Sequence, residues 1–213
     1  FLLFAEHSSH GEPRSTDAPL PGGAKSGRRV KLIHVLNAYA IKGDNNDGPA
    51  SPFDQLSTIK SIERARRLRP PDLEVDFVCA VFESDRQALS DLPCRKVILR
   101  RSTRSEYEFI QPSKELPFLQ DIINAAIADE DRDADFFLML TNSDIGLTKY
   151  FYKHLRPKLE SREALSINRL TIPMTNITTK ITNAAAFLAQ VDSNLELGEK
   201  HPGYDCFIIH SSV

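Results

Sequence analysis

A strongly apolar segment that ends in a short polar turn is the sharpest chemical feature of this 213-residue sequence. Residues 136–141 are followed directly by Asn142, Ser143 and Asp144. A carboxylate at such a position can coordinate a hard divalent cation, and that cation can bridge the oxygens of a diphosphate. Asn142 can add an amide oxygen or orient a water molecule. The alternative is a structural turn in which Asp144 caps a helix that follows Gly146.

Polar side chains also follow the other predicted strands, where ligands bind in open α/β sheets. They supply the hydrogen-bonding groups that a nucleotide pocket needs, and they are Asn37, Tyr39, Glu83, Asp85, Arg101 and Arg104. Guanidinium groups suit diphosphate oxygens, although a solvated surface run explains the two arginines equally well. Asp205 precedes the last predicted strand and is a candidate general base or acceptor for a sugar hydroxyl. A turn residue that binds its own backbone is the alternative for Asp205.

Two further features favour a structural interpretation. An acidic run at Asp131, Asp133 and Asp135 comes before the apolar strand, which predicts a solvated loop at the opposite end of the sheet. His34 lies inside a predicted strand and is interpreted as a buried core histidine with satisfied hydrogen bonds.

Strands and helices alternate along the chain and would position these residues. The predicted strands are Val30–Asn37, Glu74–Phe82, Lys96–Leu99, Asp135–Thr141, Ala164–Ile172 and Phe207–His210. The predicted helices run from Phe53 to just before Pro70, and over Leu116–Ala128, Tyr150–Leu159 and Thr182–Val191. Because several strands are apolar on both faces, the pattern predicts an α/β fold with a mostly parallel central sheet covered by helices on both faces. The strand at 136–141 should be central in that sheet.

Composition and missing motifs exclude several classes of protein. The net charge of −2 argues against a nucleic-acid partner held by bulk positive charge. The sequence has no P-loop, no dinucleotide-binding glycine motif and no hydrolase nucleophile elbow. It also has no run of eighteen apolar residues that could span a bilayer. The three cysteines form no CxxC pair, which leaves either one disulfide with a free thiol or three buried thiols.

The two ends of the chain suggest a domain with a leader. Residues 1–5 are apolar and fit either the end of a membrane anchor or an arbitrary starting point. Residues 6–29 are rich in Pro, Gly and Ser, so residues 1–29 are predicted to form a flexible stem or linker and residues 30–213 the α/β domain. Because a core strand ends three residues before Val213, the domain is expected to continue beyond it.

Three segments together resemble a known family, namely residues 116–123, 134–145 and 203–209. They are similar to nucleotide-diphospho-sugar transferases, the glycosyltransferases of the Rossmann-like GT-A fold. In the middle segment, Asn142-Ser143-Asp144 stands where that family carries a metal-binding D-x-D motif, so an amide replaces the first carboxylate. The resemblance implies metal-assisted transfer of a sugar from a nucleoside-diphosphate sugar to a glycan or protein acceptor.

The resemblance also implies roles for individual residues. Asn37, Tyr39 and residues 83–85 would form the nucleotide side of the site. Asp144 would hold Mn²⁺ or Mg²⁺ with the diphosphate, and Asp205 would be the carboxylate on the acceptor side. The alternative is a non-catalytic module that binds nucleotide sugars or glycans on the same fold, which the amide at Asn142 favours.

Location follows from the same resemblance. Many eukaryotic members are Golgi proteins held by an N-terminal anchor and a flexible stem, which implies a Golgi lumenal glycoprotein whose anchor is missing from this sequence. The sequon Asn176-Ile177-Thr178 agrees with a lumenal site. A cytoplasmic location is the alternative, and no membrane contact is expected beyond the anchor.

Overall fold

A computed structural model describes residues 2–4, 28–40, 53–107, 115–131, 133–172 and 184–213 of the chain. The predicted loop at 43–49, most of the predicted stem and the sequon at 176–178 lie outside these residues.

Strands and helices alternate through most of the described chain. The strands are β1 (Leu2–Phe4), β2 (Val30–Asn37), β3 (Leu73–Phe82), β4 (Arg95–Leu99), β5 (Phe136–Thr141), β6 (Ile145–Leu147), β7 (Ala164–Thr171) and β8 (Glu199–His210). The helices are α1 (Phe53–Arg67), α2 (Thr103–Glu106), α3 (Leu119–Ala126), α4 (Phe151–Leu159) and α5 (Ala184–Ser193), and short 3₁₀ turns cover Glu83–Asp85 and Leu195–Leu197.

The strands form one mixed sheet in the order β4-β3-β2-β5-β8-β7-β1-β6. The first four are parallel to one another, whereas β8 runs antiparallel to both of its neighbours, β5 and β7. The α/β class is therefore confirmed, but the mostly parallel arrangement holds only for the half of the sheet from β4 to β5. The reason is visible in β7, which alternates between exposed and half-buried residues over most of its length. That alternation is typical of an antiparallel strand with one solvent-exposed face.

Each face of the parallel half is covered by helices. On one face, residues of β2, β3 and β5 pack with α1 and α4 in a core that includes Leu32, Phe77 and Met139. On the other face, Ile33 and its neighbours form a second core with α3, which contacts β2, β3 and β4. The expectation that residues 136–141 form a central strand is confirmed, because β5 lies between β2 and β8.

The direction in which the chain adds strands reverses beside β2. From β2 the chain moves outward through β3 to β4, and it then returns to add β5 on the opposite side of β2. Connections that leave two adjacent parallel strands in opposite directions open a crevice at the carboxyl ends of those strands. The ends of β2 and β5 are thus the place in this fold where a ligand is expected.

Several boundaries differ from the sequence prediction. Leu2–Phe4 pair with β6 and β7, so these residues belong to the sheet and not to a stem. Residues 145–147 form β6 where a helix was the alternative, and α4 begins only at Phe151, so Asp144 caps no helix. The helix predicted from Leu116 starts at Leu119, because Pro117 bridges to Ser102 and the Leu116 carbonyl accepts a hydrogen bond from the Thr103 N–H.

The cysteines divide into one bridge and one thiol. Cys79 in β3 and Cys94, just before β4, form a disulfide, while Cys206 is a buried free thiol in β8. Burial raises the pKa of the Cys206 thiol, so this side chain stays protonated in the core. Of the two arrangements that the sequence allowed, the structure has the first.

Candidate functional site

Asn37 and Asn142 end the two strands that flank the crevice. Leu36 pairs with Thr141 in the parallel register, so these asparagines are the next positions on adjacent strands. The Asn37 amide donates to the Ala80 carbonyl at 2.9 Å, which ties the end of β2 to β3. The end of β2 is therefore fixed relative to β3 at the edge where a ligand is expected.

Two hydrogen bonds with the Gln55 side chain fix the main chain of Tyr39. Its N–H donates to the Gln55 side-chain oxygen at 3.0 Å, and its carbonyl accepts from the Gln55 amide at 2.9 Å. Gln55 is buried at the start of α1. Tyr39 and Gln55 line a cleft of about 230 Å³ that continues to Leu89 and Leu92.

A second and larger cleft lies at the carboxyl ends of β3 and β4. It measures about 630 Å³, and Glu83, Arg100 and Glu115 supply its charged lining. Glu83 is exposed and pairs with Arg86 at 3.4 Å. Asp85, predicted to lie beside Glu83 in a nucleotide pocket, is instead buried within the 3₁₀ turn and does not line this cleft.

The two predicted arginines occupy different surroundings. Arg101 binds both carboxylate oxygens of Asp121 on α3, at 3.0 and 2.6 Å, and its guanidinium lies 5.2 Å from the centre of the Phe118 ring. The hydrogen bond from Arg101 lowers the pKa of Asp121, and the same bond raises the pKa of Arg101. The Nε and Nη2 donors of Arg101 are therefore already used by Asp121 and are not free for a diphosphate. Arg104 is exposed on α2.

Asp144 is an exposed carboxylate at the ligand edge of β5. It lies within the turn in which the Ile145 N–H donates to the Asn142 carbonyl at 3.4 Å. Within the described chain, Asp144 forms no ion pair or side-chain hydrogen bond. Its charge is therefore available to a cation.

The described residues contain no group of three or more His, Cys, Asp or Glu side chains placed to hold a metal ion. One carboxylate with an amide beside it does not make a protein cage for a metal. It does fit the manner in which Mg²⁺ and Mn²⁺ are commonly bound, by one or two carboxylates together with phosphate oxygens and water.

Asp205 belongs to a polar cluster, which we call the Asp205 cluster, made of Asn142, Arg169, His201 and Asp205. Asp205 Oδ2 lies 2.9 Å from Arg169 Nη1, and the two side chains are only 17% and 14% exposed. The Asn142 amide reaches Asp205 Oδ1 at 3.4 Å. Arg169 Nη2 lies 2.8 Å from His201 Nε2, which continues the cluster across β7 and β8.

Irregular pairing of β7 with β8 makes this cluster possible. Ile167 pairs with Cys206 and Asn168 with Tyr204, which leaves Asp205 as an extra residue in a β-bulge. Bulges re-aim side chains and are common beside active sites. A second irregularity follows at Gly203, whose backbone N lies 2.9 Å from His201 Nδ1. A Cβ at Gly203 would lie 3.1 Å from the His201 ring, so a larger residue here would require that ring to shift.

Arg169 and His201 were not among the predicted site residues. The signal for Arg169 was its position two residues after Ile167, on the half-buried side of an alternating strand. A charged side chain there needs a partner, since burying an unpaired charge is costly. No comparable signal marks His201, because its role depends on the bulged register.

His34 lies buried behind the site and supports it from within the core, as the sequence predicted. Its Nδ1 is 2.6 Å from the Tyr152 hydroxyl and its Nε2 is 2.8 Å from the Thr141 hydroxyl. Burial, with a smaller effect of the Arg66 charge, lowers the pKa of His34 from 6.5 to about 3. A neutral imidazole therefore connects the end of β5 to α4.

No protein-family model, curated protein or solved structure matches this chain. Among the helices of the described residues, none is both long and apolar enough to cross a membrane.

Proposed function

We propose that this chain binds a nucleoside-diphosphate sugar at the carboxyl edge of β2 and β5 and transfers the sugar to a glycan or protein acceptor. The observation that carries the proposal is the position of Asn37, Asn142 and Asp144 at the crevice between these strands, with Asp205 contacting Asn142. Such crevices are where open α/β sheets bind nucleotides.

Asp144 would hold the divalent cation, Mn²⁺ or Mg²⁺, together with the diphosphate. A cation held there would supply positive charge that neutralises the diphosphate as a leaving group. Asn142 would orient the sugar or a metal-bound water through its amide. The cleft beside Tyr39 and the cleft beside Glu83 lie on the same edge and offer room for the nucleoside.

Asp205 is the proposed carboxylate on the acceptor side. Its ion pair with Arg169 and its contact with Asn142 restrict it to one orientation, so it can accept a hydrogen bond from an acceptor hydroxyl. Fixing a catalytic group in advance lowers the entropic cost of reaching the transition state.

The disulfide supports the proposal of a secretory location. Disulfides such as Cys79–Cys94 persist mainly in oxidising compartments, whereas the cytosol keeps thiols reduced. A Golgi lumenal protein with an N-terminal anchor outside this sequence agrees with that chemistry.

A non-catalytic module that binds nucleotide sugars or glycans is the second candidate. Two observations favour it, namely the amide at Asn142 in place of a carboxylate and the engagement of Asp205 by Arg169. Both reduce the negative charge available to a metal ion and to proton transfer.

The proposal is tested by isothermal titration with UDP, GDP and CDP, each with and without Mn²⁺. We expect Mn²⁺-dependent binding of at least one nucleotide, which Asp144→Asn weakens about tenfold or more, because the amide removes the charge but nearly keeps the volume. Asp133→Asn is the matched control, since this exposed carboxylate precedes β5 at the opposite edge of the sheet. Equal affinity in Asp144→Asn and wild type, or no nucleotide binding by wild type, would contradict the proposal.

Turnover separates the enzyme from the binding module. With the nucleotide sugar that binds best, we expect release of nucleoside diphosphate, and Asp205→Asn should abolish release while leaving nucleotide affinity unchanged. Binding without any turnover over a broad acceptor panel would establish the module instead.

A further inference from the structure

We propose that Tyr204, Asn142 and Asp205 form a subsite for one pyranose ring of a glycan acceptor. This inference rests on the proposed function, because it names the class of acceptor that the same edge of the sheet would receive. It selects a saccharide over a protein side chain as the group that accepts the sugar.

The first observation is an aromatic side chain that is exposed beside the Asp205 cluster. Tyr204 is 57% exposed although it lies within β8. Its partner across the strands is Asn168, whose side chain is also exposed. A large ring next to amide groups at the edge of a sheet gives an apolar surface with polar groups at its rim.

The second observation is unused hydrogen-bonding capacity in the cluster. Asp205 Oδ2 is buried and accepts no well-directed hydrogen bond among the described residues, although Arg169 Nη1 lies 2.9 Å away. The contact between Asn142 and Asp205 Oδ1, at 3.4 Å, is long for a hydrogen bond. A buried polar atom of this kind calls for an additional partner.

The bulge brings these two features to one place. Asp205 is the extra residue between the paired positions Tyr204 and Cys206, so strict alternation of side chains is broken there. Tyr204 and Asp205 are consecutive, and Asn142 contacts Asp205 from β5. An aromatic ring, a carboxylate and an amide thus lie at neighbouring positions at the same end of the sheet.

A pyranose ring has the matching chemistry. One of its faces is lined with C–H groups that pack on an aromatic ring, and its rim carries hydroxyls that both donate and accept hydrogen bonds. Asp205 accepts from such hydroxyls, while the Asn142 amide can donate and accept. Sites for small molecules combine aromatic surface with a few fixed polar groups in this way.

The test is saturation-transfer NMR, with affinities from titration, using methyl glycosides of the common hexopyranoses and N-acetylhexosamines. We expect at least one glycoside to bind with its ring protons closest to an aromatic side chain. Tyr204→Ala should weaken that binding about tenfold, which is the scale of a single aromatic contact. Tyr204→Phe should stay within about threefold, since the ring surface is retained. Tyr150→Ala removes another exposed tyrosine, at the start of α4, and should change nothing.

Nucleotide binding, measured on the same variants, separates this inference from the proposed function. Wild type that binds a nucleoside diphosphate with Mn²⁺ but no glycoside at millimolar concentration would overturn the subsite and leave the proposed function standing. Glycoside binding without nucleotide binding would support the subsite and remove the donor site. Equal loss of glycoside binding in Tyr204→Ala and Tyr150→Ala would also overturn the inference, as would concentration-dependent self-association that Tyr204→Ala abolishes.

Discussion

The parallel and the antiparallel halves of the sheet differ in how far their faces are exposed to solvent. Strands β3, β2 and β5 are covered by helices on both faces, whereas Phe207 and Ile209 of β8 are exposed on the face of the sheet that carries α3 in the parallel half. The parallel half has a continuous register, but the pairing of β7 with β8 is interrupted twice. The candidate site lies where the two halves meet. The regular pairing of the parallel half thus fixes the position of the ligand edge. The bulged pairing of β7 with β8 sets the directions of the side chains in the Asp205 cluster.

The largest expected effect comes from replacing an isoleucine by alanine once in each half of the sheet. The two variants compare how strongly the halves are buried. Ile33→Ala should lower the free energy of unfolding by about 2–5 kcal/mol, because Ile33 is fully buried in the core beneath α3. Ile209→Ala, on β8, should cost about 1 kcal/mol or less, because Ile209 is 37% exposed. Urea denaturation of both variants gives the two values. Similar losses would mean that the open face of β8 is covered in solution.

The second effect concerns the disulfide, which belongs to the parallel half. Cys79–Cys94 closes a loop with a sequence separation of 15 between β3 and the start of β4. Cys94→Ser should lower the free energy of unfolding by about 3 kcal/mol, chiefly by freeing the unfolded chain. Denaturation with and without reductant is the measurement. Reductant should destabilise wild type by the same amount and leave Cys94→Ser unchanged, and any other pattern would argue against this bridge.

The smallest effect is a dependence of the free energy of unfolding on pH. It arises from the buried His34 side chain in the parallel half. The folded state holds His34 neutral, with a pKa lowered to about 3, while the unfolded chain protonates it near pH 6.5. Because the unfolded state then binds more protons, stability falls as the pH drops from 6.5 towards 3.

Between about pH 7.5 and about pH 5.5 this one group should cost about 1 kcal/mol. Thermal or urea unfolding at several pH values measures the slope. His34→Phe should be less stable at neutral pH, because Tyr152 and Thr141 lose their partner, but it should show a flatter slope. An unchanged slope in that variant would show that His34 is not the group responsible.

Predictability from the sequence follows the same division. Val30–Asn37 was predicted with its observed bounds, and the strand at 135–141 was predicted to within one residue. Both are apolar on the two faces and bounded by polar turns, so the local pattern suffices. The carboxyl edge that they define placed Asn142 and Asp144 at the crevice.

The antiparallel half was harder to predict. The final strand was expected only from Phe207, yet β8 begins at Glu199 and passes through Pro202 and Gly203. These residues disfavour a regular strand, and they are accommodated here by bulged pairing with β7. The contacts of Asp205 with Arg169 and His201 depend on that register, which no local pattern specifies.

The pairing of β2 with β5 has a consequence for how the protein becomes competent to bind. His34 and Thr141 meet across these strands although they are 107 positions apart in the sequence. Contacts of such long range cost loop-closure entropy and slow folding. The ligand edge therefore does not exist until β2 and β5 have paired, and a ligand that binds there recognises only chains in which these two strands are joined. We expect binding of such a ligand during refolding to report when this pairing has formed, since the ligand stabilises the paired strands and none of their precursors.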